Sequence, residues 1–224
     1  STSSDPATIV MPTGTGKTET MLTILVSTPC ERVLVVVPTD ALRTQLAEKF
    51  LTLGILKHPR TRVLESTAER PIVCTLEHMP KSVEEVDDIF EQAHVIVTTS
   101  SIAGRCSKAI QQRIAHHCPY LFIDEAHHAE APTWRAFKDS FSACKVLQFT
   151  ATPFREDGKA LDGKFIYKYP LRKAQEEGYF KPIKFVPVRV YLPSKSDAAI
   201  AEKAIEQLRK EAHLGHILMA RVYP

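Results

Sequence analysis

Short, continuously apolar runs recur along the chain with longer amphipathic stretches between them. The runs are Ala7–Met11 (ATIVM), Val33–Val37 (VLVVV), Val95–Thr98 (VIVT), Tyr120–Ile123 (YLFI) and Val146–Phe149 (VLQF). They do not alternate with polar residues, which is the pattern of parallel strands covered on both faces. The stretches between them carry helical spacing. Lys17–Val26 follows the first run. Asp40–Leu51 follows the second, with Asp40 as its expected cap and Leu42, Leu46 and Phe50 on one face. Gly104–His117 follows the third. Strand and helix in alternation predict an α/β domain with a doubly wound parallel sheet.

Residues 54–91 are ambiguous. Val63–Leu64 and Ile72–Leu76 have the texture of short strands and Val83–Gln92 that of a helix, without a clear place in the sheet. Beyond Pro153 the pattern changes. Leu171–Gly178 reads as a short helix, Ile183–Leu192 as an edge or crossover strand interrupted by Pro187, and Asp197–Glu211 as an amphipathic helix. Ile217–Ala220 reads as a further strand. One helix and one strand cannot bury a core of their own. The expected division is therefore 1–182 as one domain and 183–224 as a linker and the start of a second.

Composition narrows the class. Of 224 residues, 44% are hydrophobic and 25% charged, the mix of a globular chain. No apolar run approaches the roughly 18 residues of a membrane span, so no membrane partner is expected. The N-terminus lacks the charged start and apolar core of a signal peptide. Five cysteines, an odd number without CxxC spacing, suit a reducing, intracellular compartment. His116-His117-Cys118 and His127-His128 are adjacent residues, not the converging spacing of a zinc site. A net charge of +3 permits a nucleic-acid partner without indicating one.

Candidate chemistry concentrates at three strand ends. Met11-Pro12-Thr13-Gly14-Thr15-Gly16-Lys17-Thr18 joins a predicted strand to a predicted helix. Glycines there let the backbone curl its N–H groups toward phosphate oxygens, and the helix presents its positive end. Lys17 supplies a charge for terminal phosphates, and the Thr18 hydroxyl suits Mg²⁺. The common form of such a loop opens with Gly, where Met11 stands here. Asp124-Glu125-Ala126-His127 ends the run YLFI, where ligands gather in open parallel sheets. Asp124 is placed for Mg²⁺ and Glu125 for activating a water. Thr150-Ala151-Thr152-Pro153 closes VLQF and, taken alone, is an ordinary turn.

MPTGTGKT, DEAH and TATP, in that order, resemble the first motor domain of superfamily 2 helicases and translocases. Val37-Pro38-Thr39 with Leu42 and Gln45 looks like the family's motif Ia, and Val97-Thr98-Thr99-Ser100 like motif Ib. TATPFR, then Tyr169-Pro170-Leu171 with Ala174 and Glu177-Gly178-Tyr179, resembles the branch of type III restriction subunits and related DNA helicases. The resemblance runs from about Ala7 to Lys181. It implies a RecA-like (P-loop NTPase) fold, ATP and Mg²⁺ as cofactors, and coupling of ATP hydrolysis to movement on nucleic acid. Thr13, Gly14, Thr15, Gly16, Lys17 and Thr18 would hold the nucleotide, with Thr18 and Asp124 toward the metal. Lys17, Asp124, Glu125 and His127 would carry catalysis, while Thr150 and Thr152, with His127, would couple it to the nucleic-acid surface. Thr39, Arg43, Thr98 and Thr99 would touch the nucleic-acid backbone, with DNA the expected partner. Trp134 and Phe154 are aromatic candidates for base stacking, though packing is the more common use of such residues.

Two features depart from the family pattern. No Gln stands before Ala7 to contact adenine, and nothing after Pro182 matches the second motor domain with its arginine fingers. The sequence thus reads as a first lobe whose partner lobe belongs to the same full-length chain, with slow turnover on its own. Two other readings share these motifs. One is a nucleotide switch or remodelling module that moves no nucleic acid; the other is the translocating subunit of a restriction enzyme.

Overall fold

A computed structural model describes residues 5–61, 63–128, 132–154, 158, 160–181, 186–215, 217 and 218. The chain divides into two units, Ser1–Phe180 and Lys181–Pro224.

The first unit is a seven-stranded sheet in which every pairing is parallel. In chain order its elements are β1 (Ala7–Val10), α1 (Lys17–Ser27), β2 (Val33–Val37), α2 (Asp40–Thr52), β3 (Val73–Thr75) and α3 (Val83–Gln92). Then come β4 (Val95–Thr99), α4 (Ser100–Arg105), α5 (Lys108–His117), β5 (Tyr120–Ile123), α6 (Pro132–Asp139), β6 (Lys145–Thr150), β7 (Lys164–Lys168) and α7 (Leu171–Glu176). The spatial order β3-β4-β2-β5-β6-β1-β7 sets the apolar runs of β2, β5 and β6 at the centre. Every residue of β2, β4 and β5 is buried.

Alternation along these strands decides which side each residue serves. Leu34, Val36, Ile96, Leu121 and Ile123 join one core with Val86 and Phe90 of α3, Ile110 and Ile114 of α5, and Trp134 and Phe137 of α6. Val33, Val35, Val37, Val95, Val97 and Phe122 join the other with Met21 and Leu22 of α1 and Leu46 and Phe50 of α2. Each such large side chain contributes about 1.5–3 kcal/mol on burial, so both faces of the sheet are held by packing.

Several expectations need correction. The cap of α2 is Thr39, whose hydroxyl accepts from Leu42 N at 3.3 Å; Asp40 is the first helical residue. The expected single helix Gly104–His117 is two helices, because Ser107 caps α5 through Ile110 N. Gln111 fills the break by donating to the carbonyls of Ala103 and Cys106. Val63–Leu64 is not a strand, whereas Val73–Thr75 is the edge strand β3. Two elements carry no clear sequence signal. α6 is short, and β7 is exposed along its whole length. β7 is fixed to β1 at both ends, by Lys164 N to Pro6 O (2.7 Å) and Tyr169 N to Val10 O (2.8 Å).

In the second unit α8 (Ser196–Lys210) forms as expected and buries none of its residues. Residues 186–192 are not a strand, nor are Ile217 and Leu218, since no neighbouring strand among the described residues offers them a ladder. The remainder of both expected strands, 183–185 and 219–220, lies outside the described residues. All five cysteines are free thiols. Among the described residues no helix is long and apolar enough to cross a membrane.

Candidate nucleotide and nucleic-acid site

The parallel sheet brings the ends of β1, β2, β4, β5 and β6 to one edge, and the loops carrying the three strand-end motifs lie there. The loop after β1 starts from Met11, whose N–H donates to Thr150 O at 2.8 Å. Met11 is buried, and its thioether accepts from Thr20 Oγ1 at 3.6 Å; this packing occupies the position where the common loop has Gly. Thr15 folds inward, with its N–H and hydroxyl both donating to Pro12 O (3.2 and 2.7 Å). Gly14 (φ 81°) and Gly16 (φ 100°) adopt left-handed backbone that disfavours other residues. A Cβ on Gly14 would meet nothing within 4 Å, so the loop is open on that side.

Gly16 caps α1 without a side-chain hydrogen bond. The cap residue therefore leaves the first-turn N–H groups, at Lys17 and Thr18, without a side-chain acceptor, and a helix start of that kind suits an anion. Thr13 is exposed and Thr18 half-buried beside them.

Across the sheet, Asp124 N donates to Val36 O at 2.8 Å, extending the β5–β2 ladder by one residue. Glu125 then turns into the left-handed region at φ 48°, a conformation costing about 1–3 kcal/mol in a non-glycine residue. That turn aims its carboxylate at the first loop, where Oε1 accepts from Lys17 Nζ. Oε2 lies 3.4 Å from His127 Nδ1. Asp124 Oδ1 accepts from Glu125 N at 3.0 Å. Burial pushes the Asp124 carboxyl above its ordinary pKa; the Lys17 charge opposes the rise and Glu125 adds to it. The acid pair and the lysine fit a Mg²⁺–phosphate group, which would supply the positive charge that Asp124 lacks and the negative charge that Lys17 can take.

His127, in the turn Ala126–His128, meets Thr150 Oγ1 at 3.0 Å through Nδ1. The same hydroxyl lies 2.9 Å from Thr152 O and accepts from Thr152 N at 3.2 Å. Thr150 therefore touches the loops after β1, β5 and β6 at once.

The remaining candidates divide. Thr39 and Thr99 each spend a lone pair on a helix N-terminus, Thr99 through Ile102 N at 3.4 Å. Thr98 is 1% exposed and its hydroxyl donates to Leu76 O at 3.3 Å, so its side chain faces the core. Arg43 is not on an exposed helix face: it is 8% exposed and paired with Asp40 (2.7 Å) and Glu77 (3.6 Å). Trp134 is packed inside, stacked on Phe137, whereas Phe154 is 59% exposed. A cleft of about 700 Å³ joins the groups, lined by Thr13, Thr39, Ser100, Glu125, His127 and Thr152. Ser100 lies on the wall; the sequence marks it only as the last residue of the motif Ib resemblance, and it is not among the residues singled out for contact. Among the described residues no three His, Cys, Asp or Glu side chains converge as a metal site, and His117 is held by Asp87 at 2.6 Å.

Comparison with known proteins bears on the family and the fold. The chain is 28% identical over 183 residues to the DNA 3'-5' translocase XPB2 of Sulfurisphaera tokodaii, covering 74% of this chain and 35% of that protein. The chain thus spans about a third of the length of that relative. The Hef helicase domain of Pyrococcus furiosus superposes with a TM-score of 0.52 at 24% identity, over 95% of this chain and 45% of that one. The UvsW helicase of bacteriophage T4 matches with a TM-score of 0.48 at 17% identity, over 73% and 54%. The family described as type III restriction enzyme, res subunit, matches residues 2–155, more than half of the chain. With the all-parallel sheet and the ordered loops at its edge, the chain belongs to that family and forms a RecA-like domain of the superfamily 2 helicases.

Proposed function

We propose that this chain is the ATP-binding lobe of a DNA-dependent motor, in which Mg²⁺-ATP hydrolysis is coupled to movement along a strand. The observation that carries the proposal is the meeting of Lys17 and Glu125 at the mouth of an uncapped helix, beside a cleft that also reaches Thr39 and Ser100. Lys17 and the first-turn amides of α1 would bind the phosphates. Thr18 and Asp124 would face Mg²⁺, which neutralises phosphate charge when bound. Glu125 would hold and deprotonate the attacking water. His127, Thr150 and Thr152 form one hydrogen-bonded unit between that site and the cleft, which suits them to coupling.

DNA as the partner follows from the kinship with a DNA translocase and with restriction subunits. Thr39 and Ser100 on the cleft wall would position a strand through its backbone without reading bases. Thr98 and Thr99 are buried in β4 and do not line the cleft. A second lobe elsewhere in the full-length protein would complete catalysis, as the family's architecture implies, and 183–224 would lead toward it.

The deciding experiment is the steady-state ATPase of the full-length protein with and without single-stranded DNA. Stimulation that is lost in Glu125→Gln supports the motor. A DNA-independent ATPase would favour a nucleotide switch or remodelling module instead.

A further inference from the structure

Trp134 is the single tryptophan of the chain. It is 3% exposed, and its ring stacks on Phe137 with centroids 5.0 Å apart and planes at 19°. Packing accounts for the ring but not for the indole N–H. Nε1 is buried and has no hydrogen-bond partner among the described residues. A buried donor left unmet costs about 1–3 kcal/mol. Glu125 Oε2 is buried in the same way, with no hydrogen bond among the described residues.

The two residues line one small cavity of about 10 Å³, together with Ser100 and Asp124. That is room for about one water molecule, and the site offers the polar partners a buried water needs. Water accepts from one group while donating to another, so one molecule satisfies an N–H donor and a carboxylate acceptor that do not reach each other directly. We propose that a single water in this cavity links the Trp134 indole N–H to Oε2 of Glu125, making Trp134 a positioning residue for the acid pair.

The link matters because the hydrogen bond that holds Glu125 is the one Oε1 accepts from Lys17, while among the described residues Oε2 has only the longer 3.4 Å ionic contact with His127 Nδ1. A phosphate drawing Lys17 away would release that oxygen, and the tryptophan-bound water would keep the carboxylate facing the site. Ser100 lines both this cavity and the larger cleft, so a strand lying in the cleft would press on the wall of the water site. This role rests on the reading of Glu125 as the water-activating group.

A ¹⁵N-labelled chain tests the link through its one indole N–H resonance, measured without nucleotide. That resonance is expected to show cross-relaxation with a bound water. It should move upfield in Glu125→Gln, because an amide is a weaker acceptor than a carboxylate, and stay in place in Glu91→Gln on α3. Trp134→Phe keeps the ring and deletes only the N–H. It should leave the thermal midpoint within a few degrees and Mg²⁺-nucleotide affinity unchanged, while slowing single-turnover phosphate release about threefold to tenfold. An indole resonance without a water contact, or one unmoved in folded Glu125→Gln, overturns the link. Unchanged single-turnover release in Trp134→Phe overturns the positioning role. A chain that binds no Mg²⁺-nucleotide in calorimetry would instead sink the proposed function, leaving the indole result to stand by itself.

Discussion

The ammonium of Lys17 donates to Oε1 of Glu125, a residue 108 positions further along the chain, and both side chains are largely shielded from water. The contact exists because β1 and β5 end on the same edge of a parallel sheet. It also means that an incoming phosphate competes with a carboxylate for the lysine.

That competition has opposite consequences for the two residues. Lys17→Ala removes the charge facing the phosphates and is expected to weaken nucleotide binding by about 1.5–3 kcal/mol. Glu125→Gln removes the competitor and is expected to tighten binding about threefold to tenfold. Calorimetric titration of Mg²⁺-ADP into each variant gives both numbers. Equal affinity of wild type and Lys17→Ala would place the phosphates elsewhere.

Asp124 sets a pH dependence. Its carboxyl titrates above the ordinary value of 3.8 in the folded chain, chiefly through burial. The folded state therefore holds this proton more tightly than the unfolded state, and ionised Asp124 lowers stability as pH rises from 3.8 through its folded pKa. Asp124→Asn keeps the acceptor for Glu125 N and removes the charge. It should raise the thermal midpoint at neutral pH by about 2–4 °C for each kcal/mol recovered, and the gain should vanish below pH 3.8. Thermal melts over a pH series check this; a gain that persists in acid would assign the effect to something other than the charge.

By itself the chain should turn ATP over very slowly. Among the described residues its site offers Lys17, Asp124 and Glu125 and no arginine, and arginines supplied by a second lobe contribute roughly 10³–10⁵ in rate in related phosphoryl transfer. A phosphate-release assay measures it. Brisk turnover abolished by Glu125→Gln would show the lobe to be catalytically complete.

DNA binding by this lobe should be weak and insensitive to sequence. Arg43 is already paired with Asp40 and Glu77, and Thr98 is turned into the core, so few of the candidate groups among the described residues can neutralise phosphates. About one to three counterions should be released, giving a shallow salt slope. Fluorescence anisotropy with single-stranded DNA and RNA across a salt series reads the slope; a steep one, or discrimination between sequences, would require a different surface.

Gly163, just before β7, adopts φ 92°, and a Cβ there would fall 2.3 Å from Pro6 O. That same oxygen accepts the hydrogen bond that starts the β1–β7 pairing. Gly163→Ala should cost about 2–4 kcal/mol from backbone strain and collision together. Chemical denaturation measures the loss, and hydrogen exchange at Lys164 N shows whether the strand edge opens.

The central strands were legible because burial on both faces leaves an uninterrupted apolar run, as in VLVVV and YLFI. Three strand-end motifs then pointed to the candidate site, since a parallel sheet delivers all such ends to one edge. The edge strand β7 was not legible: KFIYK is exposed throughout, and its place depends on two backbone bonds to β1 that leave no mark on composition. The split between α4 and α5 was hidden for a related reason. Ser107 can continue a helix or cap one, and the choice is made by Gln111 reaching back to the carbonyls of Ala103 and Cys106. For the nucleic-acid candidates, residue type is visible in the sequence but side-chain direction and burial are not. In β4 consecutive threonines point to opposite faces, but both faces are covered: Thr98 and Thr99 are both buried, one bonded to Leu76 O and the other capping α4.

Thr150 has one hydroxyl proton and two acceptors within reach, Thr152 O at 2.9 Å and His127 Nδ1 at 3.0 Å. When the proton points to Thr152 O, the His127 contact is satisfied only by a proton on the imidazole's Nδ1, shared toward Glu125 Oε2. When it points to His127, Nδ1 must be bare, and the stabilising contact with the glutamate is lost. A rotation of one O–H bond thus fixes the histidine tautomer and the electrostatics felt by the acid beside it. Thr150→Val, nearly the same size, would remove that choice while leaving the strand intact.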